Sequence, residues 1–505
     1  MEKRVNSDLV LNNFITARQE VERFASDIRS ATGISGDRPP LYCSAVPDEA
    51  ATARDASGFR DCTVMVVSIG GSYTHFRCLE IAAGRVRERT DIASSLLHEG
   101  HEQKIRTPCA DGKKHSLAEM YSLIASRVLP WLQTLLAEDT IPYILFNWGF
   151  PQQSVQLEDG SRLTGAIGQN MTKSHSGVQA EGKSIHDEFR ACLVEQARRQ
   201  KLDTRHISCL QTIKIIVQND TIMSVFRYLE KKRRQEYREI ALMILGTGVN
   251  LTSAEPYAVN AQGELLRDAH GVPRRLTRSQ AVAESTSWKK FWVNYEVGRL
   301  LPAETRSAID RIGSNEDLAE DIENFGAAGT GYGRVFKNLI FETLDEPQSV
   351  WTSICSVVQA QRPDKQAPGG EWVIQLAGGH DQKSPFELLP LLAERGLHEH
   401  ILERLQYLAG IVIQRSAFRA AEILAAVSLY NGFGLQAGGK PDALAMEGSL
   451  WKTIHFQEKV REYWNALLAP ELGKAGMPGV HVELIVEDGY NAGVLGPAYM
   501  LGQFL

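Results

Sequence analysis

The sequence predicts an α/β protein of two related lobes, and three observations predict it. Apolar, β-branched runs alternate with stretches of helical spacing through much of the chain. A unit of strand, glycine turn and strand occurs twice, in "VMVVSIGGSYTHFRCLEI" (64–81) and in "REIALMILGTGVNLTSAEP" (238–256), each followed by further α/β sequence. The length, 505 residues, exceeds what one ordinary core fills, since domains average roughly 100–200 residues.

The elements follow in order. "MEKRVNSDLVLNNFITARQEVERF" has the spacing of an amphipathic helix, and 36–61, rich in Pro, Ala, Gly and Asp, reads as an extended loop. The first hairpin comes next, hinged at Gly70-Gly71. A helix is predicted over 116–136, a strand over 141–151 and a second helix over 185–200. "CLQTIKIIVQND" (209–220) reads as a strand that stops at Asn219-Asp220, where a helix takes over. The second hairpin turns at Gly246-Thr247-Gly248, and 254–278 is an irregular excursion with two turn signals. Long helices are expected over 397–431, and the chain closes with a strand, a glycine-rich turn and a short helix.

Composition excludes several function classes. A net charge of -6 argues against a general nucleic-acid binder, and the basic run Lys231-Lys232-Arg233-Arg234 reads as a solvated helix face. Seven cysteines without a C-x-x-C pair suit free thiols in a reducing compartment, so cytoplasm is the expected location. Neither a signal peptide nor a membrane span is expected. No G-x-x-x-x-G-K-[ST], H-E-x-x-H or G-x-S-x-G run is present, and the glycines at 327–334 do not follow a strand. No metal-ligating residue set is predicted.

What remains points to anions and hydroxyls. Glycines let main-chain N–H groups approach a phosphate closely, so both glycine turns are candidate phosphate grips; an ordinary hairpin is the other reading of the first. Asp220 stands where a strand ends and a helix begins, a place where α/β proteins bind ligands. It reads either as the helix N-cap or as a carboxylate that accepts a proton from a substrate hydroxyl during phosphoryl transfer. Thr172-Lys173 reads as a surface turn or as a hydroxyl and a mobile cation on a loop.

Several segments, in order, resemble the hexokinase family. "SIGGSYTHFR" (68–77) is similar to its first phosphate turn D-L-G-G-T-N-F-R, "NWGFPQQ" (147–153) to F-S-F-P-x-x-Q, and "TKSH" (172–175) to T-K-G-F. "VQNDTIMSV" resembles V-N-D-T-x-G-T, "LGTGVN" resembles G-T-G-T-N, and "VNYEVG" (293–298) resembles N-x-E-W-G. "GTGYGRVF" is similar to G-M-Y-M-G-E-L-V, "RSAFRAAEILAA" to the helix S-x-R-A-A-x-L-x-A-A, and "AMEGSLW" to the adenosine-side V-D-G-[ST]-x-Y.

The resemblance, over roughly residues 40–505, implies the two-lobed actin-like ATPase (ribonuclease-H-like) fold, each lobe a mixed β-sheet flanked by helices, with a cleft between. It implies an ATP- and Mg2+-dependent kinase acting on the 6-hydroxyl of glucose or a related hexose. Asp220 is then the general base, with Lys173 also catalytic. The hexose ligands are Thr172, Lys173, Asn219, Asp220, Asn250, Glu296 and Glu323. The nucleotide is expected on Gly70, Gly71, Ser72, Arg77, Gly246, Thr247, Gly248, Gly448 and Ser449.

Expected boundaries are an N-terminal helix and loop over 1–60, a small lobe over 61–218, a large lobe over 219–485, and a last helix, 486–505, returning to the small lobe. Monomer and homodimer fit equally. Three positions depart from the family pattern: Ser68 stands for the aspartate that helps hold hydrated Mg2+, Gly149 for a sugar-binding serine, and Glu447 for the adenosine-side aspartate. The departure at Ser68 leaves a second reading open, a catalytically impaired sugar or nucleotide sensor.

Overall fold

The computed structural model describes residues 14–30, 42–48, 59–69, 73–83, 85–92, 104–106, 116–150, 152–156, 164–168, 180–229, 231, 234, 236–246, 248–269, 272–276, 280–281, 287–297, 300, 329–363, 367–378, 388–453, 455–486 and 492–504. Helix α1 (Phe14–Ser30) and strand β1 (Tyr42–Pro47) precede the first sheet. That sheet contains β2 (Cys62–Ile69), β3 (Tyr73–Ala82), β4 (Arg85–Glu88) and β5 (Lys104–Arg106). After α2 (Leu117–Ala137) come β6 (Tyr143–Trp148), the hairpin β7 (Gln152–Gln156) and β8 (Thr164–Gly168), α3 (Ile185–Arg199), α4 (Thr204–Thr212) and β9 (Ile215–Asn219). The order in the sheet is β4-β3-β2-β6-β9, with β5 also on β3; β2, β6 and β9 run parallel.

Helix α5 (Asp220–Val225) leads to the second sheet, built from β10 (Ile240–Leu245), β11 (Val249–Ala258) and β12 (Trp288–Asn294). Helices α6 (Gly329–Thr343), α7 (Pro347–Gln361), α8 (Gly370–Leu376), α9 (Leu388–Glu394) and α10 (Glu399–Asn431) follow. The chain ends with β13 (Asp442–Glu447), α11 (Phe456–Leu467), α12 (Ala469–Ala475), β14 (Val482–Ile485) and α13 (Ala492–Phe504). The second sheet has the order β1-β12-β11-β10-β13-β14.

Three apolar cores explain the continuous apolar strand runs, because each sheet is covered on both faces. In β2, Met65, Val67 and Ile69 join α2 and α3 in one core. Val64 and Val66 point the other way, as the two-residue strand period requires. In β10, Met243 and Leu245 face α10 and its neighbours. Ile240 and Leu242 share a third core with Val64, Val66, α5 (Ile222, Met223) and α13 (Ala498, Leu501). Helices α5 and α13 therefore lie between the two sheets. Gly496 permits the close approach: a Cβ there would stand 2.2 Å from the Met223 carbonyl oxygen.

Two local expectations are corrected. Cys209–Thr212 belong to α4, whose N-cap Asp203 accepts from the His206 N–H at 2.8 Å, so the strand begins only at Ile215. The expected loop over 36–61 contains β1, which pairs with β12 and saturates an edge that would otherwise expose its backbone. Within the expected N-terminal segment, α1 buries Val21, Phe24 and Ile28 in the second lobe's core against α10. Arg18 ties it to Glu471 at 2.7 Å.

Candidate functional site

At the first sheet, β2, β6 and β9 end together, with Ile69, Trp148 and Asn219 in register. One position earlier Ser68, Asn147 and Gln218 form a neutral polar row on the face toward the second sheet. Asn147 Nδ2 donates to Ser68 Oγ at 3.2 Å. Gln218 Oε1 accepts from Gln152 Nε2 and from the Asn219 N–H, both at 3.1 Å. In this row Ser68 stands at the position where the resemblance implies a carboxylate for hydrated Mg2+. A serine hydroxyl already accepting from an amide supplies no charge, so the residues present do not fit the expected protein contact to the metal. Among the described residues no group of three or more His, Cys, Asp or Glu side chains could hold a metal ion.

The boundary at Asn219-Asp220 is as the sequence predicts, but the cap is Asn219, one residue earlier than the local reading of Asp220. Asn219 Oδ1 accepts from the Thr221 N–H at 3.0 Å and from Thr221 Oγ1 at 2.5 Å. Asp220 is thereby the first helical residue, half-buried, its Oδ1 accepting from the Thr221 N–H at 2.8 Å. The helix cap is thus supplied by Asn219 and not by the Asp220 carboxylate.

The second sheet presents its own edge. Strands β10 and β11 are joined through the turn 246–248, where the Gly246 N–H donates to the Gly248 carbonyl at 2.9 Å. Just past the parallel neighbour β13, Gly448 has φ 105°, and a Cβ there would lie 2.2 Å from the Leu245 carbonyl oxygen. A Cβ on Gly246 would find the Gly448 Cα 4.0 Å away and nothing nearer. Gly246 and Gly448 thus put two glycines side by side, a main-chain surface of the kind that a polyphosphate can approach closely. Ser449 is exposed at the start of a short 3-10 helix. Glu447 accepts from Tyr228 Oη at 2.9 Å, linking the turn to the segment that follows α5.

At the same edge, register places Asn250 opposite Ile244 and Thr252 opposite Asn294. Asn250 Nδ2 donates to Glu296 Oε1 at 3.3 Å, although 46 positions separate them. Asn294 Nδ2 donates to the same oxygen at 2.5 Å, and Asn294 Oδ1 accepts from the Glu296 N–H at 3.2 Å. Glu296 has φ 44°, a left-handed backbone that a non-glycine residue holds only under constraint. The cluster offers a carboxylate and two amides together, the pairing suited to sugar hydroxyls, which donate and accept.

Arg77 lies opposite Val66, back from the turn, and bonds to the Phe76 carbonyl (2.8 Å) and Glu88 (3.4 Å). The structure therefore brings together Asn250 with Glu296 and Gly246 with Gly448, beside the neighbouring pair Asn219 and Asp220. Gly70, Gly71, Ser72, Thr172, Lys173, Thr247 and Glu323 lie outside the described residues. Asn147, Gln218 and Asn294 escaped the sequence reading although each adjoins or falls in a quoted motif; the signal was an amide beside a motif residue.

No protein-family model matches the sequence, and no curated protein does. Solved structures do match. A hexokinase from Schistosoma mansoni complexed with glucose superposes with a TM-score of 0.59 at 16% identity, covering 98% of this chain and 96% of that one. Another hexokinase structure gives a TM-score of 0.57 at 15% identity, covering 98% and 100%. Such low identity speaks to architecture alone. Over nearly its whole length the chain has the fold of the hexokinases, two mixed sheets flanked by helices in the actin-like ATPase arrangement.

Proposed function

We propose that the protein is an ATP-dependent hexose kinase that phosphorylates the 6-hydroxyl of glucose or a related hexose, with Asp220 as general base. The observation that carries this reading is the Asn250–Glu296 hydrogen bond, which unites two distant residues at the edge that also holds the glycine wall. The hexose would bind Asn219, Asp220, Asn250 and Glu296, with Thr172, Lys173 and Glu323 completing its ligands. The nucleotide would lie along Gly246, Gly248 and Gly448. Asp220 accepts the hydroxyl proton as the new O–P bond forms, and the bond from the γ-phosphorus to the bridging oxygen breaks to release ADP. The neutral row at Ser68 favours a second reading, a sugar-binding protein with little or no catalysis.

Sugar-dependent ADP release over a panel of hexoses, beginning with the glucose bound by the Schistosoma protein, decides between them. Asp220→Asn is expected to lower turnover by roughly 10²–10⁴-fold while hexose binding persists. Hexose binding by the parent protein without turnover on any sugar would leave the sensor reading in place of the kinase.

A further inference from the structure

Tyr295 stands between two members of the polar cluster, Asn294 and Glu296, yet is itself fully buried. Its hydroxyl donates to Glu255 Oε1 and lies 2.6 Å from Ser253 Oγ. Glu255, 2% exposed, also accepts from Tyr430 Oη at 2.8 Å and from Asn431 Nδ2 at 3.3 Å. Ser253 and Glu255 share one face of β11, where Ser253 pairs with Val293, the residue before Asn294. Arg275 stacks on the Tyr430 ring at 5.0 Å and donates to the carbonyls of Ile28 (2.9 Å) and Arg29 at the end of α1.

A buried carboxylate is a poor stabiliser, since apolar residues of similar volume commonly do as well. What it does supply is direction: three donors on β12's end, α10's end and their neighbours converge on it and fix one geometry. The fixed point sits beside Glu296, whose left-handed backbone at φ 44° persists only if its surroundings hold it. The Tyr295 N–H donates to the Leu251 carbonyl at 3.0 Å, so backbone and side chain of Tyr295 are both anchored to β11, the strand that carries Asn250.

We propose that Glu255 is a positioning residue for the hexose edge: its buried carboxylate holds Tyr295, and Tyr295 holds Asn294 and Glu296 in the conformation that presents the Glu296 carboxylate to sugar hydroxyls. The inference rests on the hexose reading of Glu296. It makes sugar affinity depend on a carboxylate that touches no sugar, and leaves the nucleotide wall independent of it.

The test uses the full chain with Glu255→Gln, Tyr295→Phe and the double variant. Glucose, mannose and fructose binding is measured by calorimetry, ATP binding by a fluorescent analogue, and KM and kcat wherever turnover occurs. Expected are at least tenfold weaker binding of the preferred hexose in each single variant, a nucleotide Kd within twofold of the parent, and a double variant no worse than the weaker single one. Hexose affinity unchanged within twofold in Tyr295→Phe, which loses one oxygen and is the variant surest to fold, overturns the proposal even if the melting temperature drops. A parent protein that binds none of the hexoses removes the hexose reading itself and this inference with it.

Discussion

Replacing Gly448 with alanine separates what the glycine wall does for folding from what it does for a ligand. Gly448 has φ 105° and ψ 160°, a region essentially reserved for glycine, and forcing another residue into it costs about 1–3 kcal/mol. The added Cβ would meet the Leu245 carbonyl oxygen at 2.2 Å, the Leu245 carbonyl carbon at 2.6 Å and the Gly246 nitrogen at 3.1 Å. All three are backbone atoms at the end of a paired central strand and in the turn after it, so no side chain can swing aside, and overpacking of this kind adds about 1–3 kcal/mol. The sum, roughly 2–6 kcal/mol, is a large share of a total stability of about 5–15 kcal/mol. Gly246→Ala supplies the contrast, because its Cβ would find only the Gly448 Cα at 4.0 Å. Gly448→Ala is expected to melt several degrees lower, whereas Gly246→Ala melts like the parent; both are expected to bind a fluorescent ATP analogue at least tenfold more weakly. Differential scanning calorimetry and a binding titration read the two effects. A Gly448→Ala protein with the parent's melting temperature and nucleotide affinity would refute the argument.

Three further predictions concern the first lobe. Ser68→Asp restores a carboxylate beside the Asn147 amide, which already donates to this side chain, and is expected to raise Mg2+-dependent ADP release at least tenfold; an unchanged rate would show that the missing charge does not limit turnover. Burial, the largest cause, holds the His186 imidazole below its ordinary value of 6.5, with Arg190 adding to that and Asp187 and the Ala166 N–H opposing. Ser184 Oγ also lies 3.2 Å from its Nδ1. Since the unfolded chain takes up the proton more readily, this contribution to stability is complete above about pH 6.5 and is lost as pH falls through the lower folded value. Melting temperatures from pH 7.5 to 5 should therefore fall less steeply in His186→Gln than in the parent, and equal slopes would contradict the assignment. Gly165→Ala would press a Cβ to 2.4 Å from the same ring and should destabilise the β7–β8 hairpin by about 1–3 kcal/mol.

Legibility followed the range of the interactions. The hairpin at 64–81 was readable because its strands are apolar on both faces, and both faces are in fact covered. The stop at Asn219-Asp220 was readable from a polar pair after a buried run, although the choice of which one caps depended on side-chain geometry that only coordinates show. Cys209–Thr212 was misread because a short, mixed segment carries no decisive period, and the Asp203 cap lies outside the window that suggested a strand. Strand β1 was misread as loop because its partner, β12, is some 250 positions away, and an edge strand needs little apolar sequence of its own.

The same division holds for the site. Sequence alone determined the residue types and their order: the glycines of two turns, the Asn-Asp pair, Asn250 and Glu296, and the serine at position 68. These are local properties, since turn glycines, caps and buried runs announce themselves within a few residues. Only the tertiary structure decided that Glu296 is bonded to Asn250, that Gly448 closes against Leu245, and that Tyr295 is fastened to Glu255, which Tyr430 also holds. Each of those contacts joins segments that sheet register and helix packing bring together, and no local pattern encodes which distant side chain will occupy the space opposite.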